Sequence, residues 1–171
     1  EHCGWVGMCK GGGPGGVGCA VVAIVQGQRD GLSGFRLVGP THEGWEREME
    51  SEHEQLVLRG IKLLPLYAGF RPDDQSLDPH WHYATKHKLP VLLHTGTTFI
   101  SPAPLECTLP RHLDPVAIRF PEVKIIMAHL GHPYESECIV TIRKPPTVYA
   151  DFSPLHYRTF RLNHSLMLVQ E

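Results

Sequence analysis

The chain of 171 residues reads as an α/β protein built on a parallel sheet, and three observations lead there. Short apolar runs recur from about residue 32, none alternating cleanly between polar and apolar, as expected of strands covered on both faces. Segments with helix punctuation separate them, so that strand and helix alternate about five times. Two of the runs also end in the same way, in a histidine followed one residue later by glycine. Two closures of such a sheet are open: a doubly wound open sheet, which fits the length, or an incomplete (β/α)8 barrel, whose full form takes about 250 residues.

The expected strands are GFRLV (34–38), GIKLLPLY (60–67), PVLLHTG (90–96), VKIIMAHLG (123–131) and TVYADFS (147–153). A helix is expected over 43–60, with Trp45 and Met49 four apart and Gly60 closing it. Asp78-Pro79 and Asp114-Pro115 each offer an N-cap carboxylate followed by proline at the first helical position. Pro133 opens a further helix, with Glu135 and Glu137 early and Arg143 and Lys144 late, matching the helix dipole. A last helix over 157–170 carries Phe160, Leu162, Leu166 and Val169 as its apolar side.

Residues 29–171 are expected to form this domain, and residues 1–28 a Gly-rich segment that is disordered or aberrant. Gly13, Gly15 and Gly18 match G-x-G-x-x-G, but the β-branched run CAVVAIV (19–25) follows where a nucleotide site needs a helix. The chain opens on Glu1 rather than Met, as expected of a processed or incomplete product. A net charge of -2 gives no reason to expect nucleic acid or an anionic membrane as partner. No apolar stretch approaches the roughly 20 residues needed to cross a bilayer. Five cysteines at irregular spacing, without C-x-x-C, fit reduced thiols and a cytoplasmic location.

In both closures, chemistry gathers beyond the carboxyl ends of the strands. His94 ends one expected strand and His129 the next, so two imidazoles from separate loops can converge on one ion. Each could instead cap its strand with a hydrogen bond; the repetition of run, His, residue, Gly favours function. Lys62 in GIKLLPLY could hold a substrate carboxylate, or simply extend its amine past the strand to water. Asp151 in YADFS could orient a histidine or accept a proton, the plainer alternative being an Asx turn. His80-Trp81-His82 has the H-x-H spacing of a metal-binding strand but follows a helix start. There, residues two apart diverge by about 200°, and surface or half-buried helix residues are expected.

GIKLLPLY, LPVLLHTGTT, FPEVKIIMAHLGHPYESE, VYADFSPLHYR and NHSLMLVQE together resemble consecutive blocks of the amidohydrolase-related (amidohydrolase 2) family. These are metal-dependent TIM-barrel hydrolases, and the blocks resemble the branch of aminocarboxymuconate-semialdehyde decarboxylase. The resemblance covers roughly residues 33–171 and implies strands 3 to 7 of a (β/α)8 barrel. It implies His94 as a metal ligand, and His129 as a catalytic group at the metal-bound water that sometimes also serves as a ligand. It further implies a divalent metal, with zinc expected, and hydrolysis or decarboxylation of a small carboxylated or cyclic substrate. Lys62 and Arg111 are the expected carboxylate anchors by charge and position, and Asp151 joins His129 as a catalytic candidate.

The family's first strand carries H-x-H or E-x-H and its eighth a metal-binding Asp; neither occurs here. The competing expectation is therefore an inactive fragment with no self-contained metal site. A small molecule is the expected partner, with no nucleic acid and no membrane, and homo-oligomerisation is left open.

Overall fold

The computed structural model describes residues 5–9, 32–37, 39, 44, 45, 47, 49, 50, 59–97, 104–153, 163 and 167. The chain divides into two compact units, Glu1–Leu63 and Leu64–Glu171.

In the first unit three strands run parallel: β1 (Trp5–Cys9), β2 (Leu32–Leu37) and β3 (Gly60–Leu63). Trp5 pairs with Leu32 and Phe35 with Gly60. Within the 1–28 segment expected to be disordered or aberrant, residues 5–9 form strand β1. WVGMC lacks a local signal of length or alternation, and its order comes from parallel pairing with β2. Gly60 begins β3 rather than capping a helix, and its missing side chain makes room for Phe35: a Cβ there would lie 2.4 Å from the ring. Trp45, Arg47, Met49 and Glu50 are helical as expected, with Met49 buried.

The second unit opens with a short helix, α1 (Pro65–Ala68), where the sequence suggested continued strand. Pro65 has no N–H for a sheet ladder but suits the first turn of a helix, so β3 ends at Leu63. Helix α2 (Asp78–His87) follows a 3-10 turn over Gln75–Leu77. Asp78 and Pro79 therefore lie inside the helix, not at its cap. The capping carboxylate is Asp74, which accepts a hydrogen bond from the Ser76 amide at 2.9 Å. The same shift occurs at α3 (Leu113–Arg119): the 3-10 turn Pro110–His112 has already wound the chain, and Asp114 pairs with Lys144 at 2.5 Å instead of capping. Helix α4 (Glu135–Arg143) has the expected acidic start and basic end.

Strands β4 (Val91–Leu93), β5 (Ile125–Met127) and β6 (Val148–Ala150) run parallel, Val91 pairing with Ile125 and Ile125 with Val148. All three residues of β4 are buried, as its unbroken apolar run requires. Around them Trp81, Leu113, Val116, Leu130 and Cys138 are fully enclosed. The 157–170 helix is described only at Asn163 and Met167, both helical; its expected apolar side lies outside the described residues, as do residues 10–31. Among the described residues no helix is long and apolar enough to cross a membrane, and Cys107 and Cys138 carry free thiols.

Candidate functional site

His94 comes directly after β4, where the chain leaves the core. Thr95, 2 % exposed, turns inward and its hydroxyl donates to the Ala128 carbonyl at 2.6 Å. Gly96 follows at φ 82° and its backbone presses against the loop after β5: a Cβ would lie 2.1 Å from the His132 carbonyl oxygen. Thr97 N–H donates to that same oxygen at 2.7 Å. The β4 and β5 loops are thus joined through backbone, and only glycine tolerates both the dihedral and the contact. His94 is left half-buried, its Nε2 3.3 Å from the Thr97 carbonyl oxygen and its ring edge-on to Tyr67 at 6.1 Å.

His129 is placed by a different device. After β5, Ala128–Gly131 forms a 3-10 turn interrupted by left-handed residues: His129 at φ 63° and Leu130 at φ 48°, then Gly131 at φ 63°. Two side-chain-bearing residues thus share the turn with glycine. Such conformations cost on the order of 1–3 kcal/mol each and persist where surroundings dictate them. Here Asp151 dictates them. Its backbone bonds to Met127 (2.9 Å) and Leu130 (2.7 Å), and its Oδ1 accepts from the His129 N–H at 3.0 Å. The same Oδ1 accepts from the Ser153 N–H at 3.0 Å and from the Ser153 hydroxyl at 2.5 Å. The His129 Nδ1 lies against the Ser153 carbonyl oxygen, with the Ser153 hydroxyl 3.3 Å away.

These two turns bring the imidazoles of His94 and His129 to 5.0 Å between ring centres at an interplanar angle of 70°. Two imidazoles sharing one tetrahedral ion, with metal–nitrogen bonds of about 2.0–2.1 Å, have centres roughly 5 Å apart. The ring separation by itself is what two positions of a donor set would have. Catalytic zinc normally takes three protein ligands, and among the described residues no group of three or more His, Cys, Asp or Glu is placed to hold an ion. The next histidine, His132, is tied to Glu135 at 2.5 Å.

The other expected site residues each have their own surroundings. Lys62 lies in β3 of the first unit, 6 % exposed. Arg111 is exposed and its guanidinium forks onto Glu137, Nε donating to Oε2 at 3.0 Å. Asp151 touches His129 through the backbone, forming an Asx turn with Ser153 as well. His80 and His82 are helical as expected, yet His80 is buried at 4 % exposure and His82 is exposed, so they cannot share an ion. His80 is deeper than expected because α2 presents that side to the core beside Trp81.

Sequence reading missed three features. Ser153 carried one signal, the Asx turn its place after Asp151 suggests, but its contact with the His129 ring was not read from it. Tyr67 carried none, since the helix placing it was read as strand. The third is a cluster linking the loops after β3 and β4. Arg71 forks onto Asp73 (3.0 and 2.7 Å) and reaches the His112 Nδ1 at 3.2 Å, while the His112 Nε2 meets Glu106 at 2.9 Å. Arg71 holds the Asp73 carboxyl below the usual carboxylate range. Residues 41 apart in the chain leave no periodic trace of such a contact.

Comparison with known proteins points one way. The amidohydrolase family profile matches residues 19–162. No curated protein is similar enough to count as a match. Among solved structures, an uncharacterized TIM-barrel protein, Bb4693 from Bordetella bronchiseptica, superposes with a TM-score of 0.71 at 21% identity, over 82% of this chain and 50% of that one. The 4-oxalomesaconate hydratase of Rhodopseudomonas palustris gives 0.55 at 15% identity, over 86% and 49%. Dihydroorotase from Campylobacter jejuni gives 0.51 at 19% identity, over 76% and 37%. This chain spans half or less of the length of these three structures. With a match over most of its length, and parallel strands alternating with helices as in part of a (β/α)8 barrel, the chain belongs to the amidohydrolase family.

Proposed function

We propose that the chain is the central portion of a metal-dependent hydrolase acting on a small carboxylated or cyclic substrate, by hydrolysis or decarboxylation, with zinc as the metal. The observation that carries this reading is the His94–His129 pair, 5.0 Å between ring centres just beyond the ends of neighbouring parallel strands. Family membership and the dihydroorotase and hydratase among its structural neighbours support it.

In this reading His94 is a ligand, and His129 is either a second ligand or the group that handles a proton. When bound, a divalent ion here would lower the pKa of water towards about 7 and polarise an acyl oxygen. Where it is not a ligand, His129 would take up a proton at Nε2 and return it to the leaving group. Tyr67, half-exposed, stands edge-on beside His94. Arg111 keeps its exposed guanidinium forked onto Glu137 and retains further N–H donors.

Zinc titration of the purified chain by calorimetry tests the reading. His94→Ala is expected to weaken zinc affinity at least tenfold while circular dichroism stays unchanged. Equal affinity in the variant removes His94 as a ligand. The second reading, a fragment with no self-contained metal site, is favoured by the lack of a three-ligand group among the described residues. No saturable zinc binding by the unaltered chain would establish it.

A further inference from the structure

We infer that Asp151 and Ser153 form a positioning turn that fixes His129 in its Nδ1–H tautomer, leaving Nε2 as the nitrogen offered to an ion, a water or a substrate. The inference deepens the proposed function, resting on the reading of His129 as the working imidazole. Hydrogen-bond polarity leads to it. Two oxygens lie at the His129 Nδ1, the Ser153 carbonyl and, at 3.3 Å, the Ser153 hydroxyl. A carbonyl oxygen can only accept. A hydroxyl has one proton, and this one is directed to the Asp151 Oδ1 at 2.5 Å, so the hydroxyl too can offer Nδ1 only a lone pair. A nitrogen facing two acceptors must carry the hydrogen, and in a neutral imidazole that leaves the lone pair on Nε2.

Asp151 therefore acts on the ring through its neighbours. Its Oδ1 takes three donors: the His129 N–H, which holds that residue in its left-handed conformation, and the amide and hydroxyl of Ser153. Bonds to a carboxylate are the strong kind, and three on one oxygen define the turn closely. Orientation of a working imidazole by a carbonyl and a carboxylate is a general requirement of such sites. Neither the ring's proton nor its lone pair touches Asp151, so the carboxylate is a positioning residue and not the acceptor of the His129 proton.

The test is the histidine tautomer read by two-bond 1H–15N spectra of the full chain, freed of metal by a chelator, at a pH where imidazole is neutral. His129 is expected to show a protonated Nδ1 and a bare Nε2. Asp151→Ala should move it mainly to the Nε2–H form, whereas Asp151→Asn, which retains the accepting Oδ1, should keep the unaltered pattern. An Nε2–H ring in the unaltered chain overturns the inference, as does an Asn variant that behaves like the Ala variant. Should Asp151→Ala not fold, Ser153→Ala decides: it keeps the backbone carbonyl at Nδ1 and removes only a hydroxyl lone pair, so the Nδ1–H form is expected to persist, and a shift to Nε2–H overturns the inference. Since these spectra are recorded without metal, failure of the zinc reading leaves this result standing, and the reverse holds as well.

Discussion

His80 and His94 show how surroundings set what a histidine can do. His94 is half-buried at a strand end, among aromatic rings and carbonyl oxygens. His80 lies on α2 inside the core, where burial pushes its pKa down to about 4, a weaker opposing effect coming from its hydrogen bond with the Leu77 backbone. The unfolded chain takes up this proton near pH 6.5, the native one only near 4. Stability from a neutral His80 is thus present above pH 6.5 and drains away as pH falls towards 4. Between pH 7 and pH 5 the loss should be about 2 kcal/mol, since each pH unit inside that window is worth about 1.4 kcal/mol. Urea denaturation at the two pH values measures it, and His80→Leu should flatten the difference. An equal slope in the variant would assign the pH dependence to other groups. At this scale the sequence disclosed His94 and His129 by position and repetition, but not which histidine would be buried.

Turns do the positioning at the scale of the element. Gly69 and Gly96 both have positive φ, near 68° and 82°, yet they differ in what surrounds them. Nothing lies within 4 Å of a Cβ built at Gly69, whereas at Gly96 it would meet the His132 backbone oxygen at 2.1 Å. Gly69→Ala should therefore cost only the dihedral, about 1 kcal/mol. Gly96→Ala adds a clash that backbone alone can relieve, and should cost on the order of 2–4 kcal/mol. Comparing the urea midpoints of the two variants checks this; equal losses would mean that the β4 loop yields without disturbing the β5 loop. The repeat of histidine, one residue, then glycine at His94 and His129 was legible. The left-handed His129 and Leu130 were not, because bonds from Asp151, about twenty residues on, hold them there.

For the whole molecule, the described site lies in the second unit: His94, His129, Asp151, Ser153 and Tyr67 all belong to Leu64–Glu171. Trp81 anchors that unit's core at 0 % exposure, its ring stacked on Phe120 with centroids 6.4 Å apart and its indole N–H donating to Pro72 at 3.2 Å. Trp81→Ala should lower stability by about 3–5 kcal/mol, seen as an earlier urea transition, through lost burial and the cavity left behind. A change within error would show that α2 is not part of the cooperative core.

By itself the sequence determined the α/β class, the parallel order implied by unbroken apolar runs, and the two strand ends that carry the candidate histidines. These follow from local pattern: hydrophobic period and turn residues are written in neighbouring positions. Only the tertiary structure decided the 5.0 Å approach of the two rings, the αL turn at His129, and the Asp151–Ser153 hold on its imidazole. Arg71 meeting His112 across 41 residues belongs with them. Such contacts depend on where distant loops come to rest once the sheet has formed, and no local period records that.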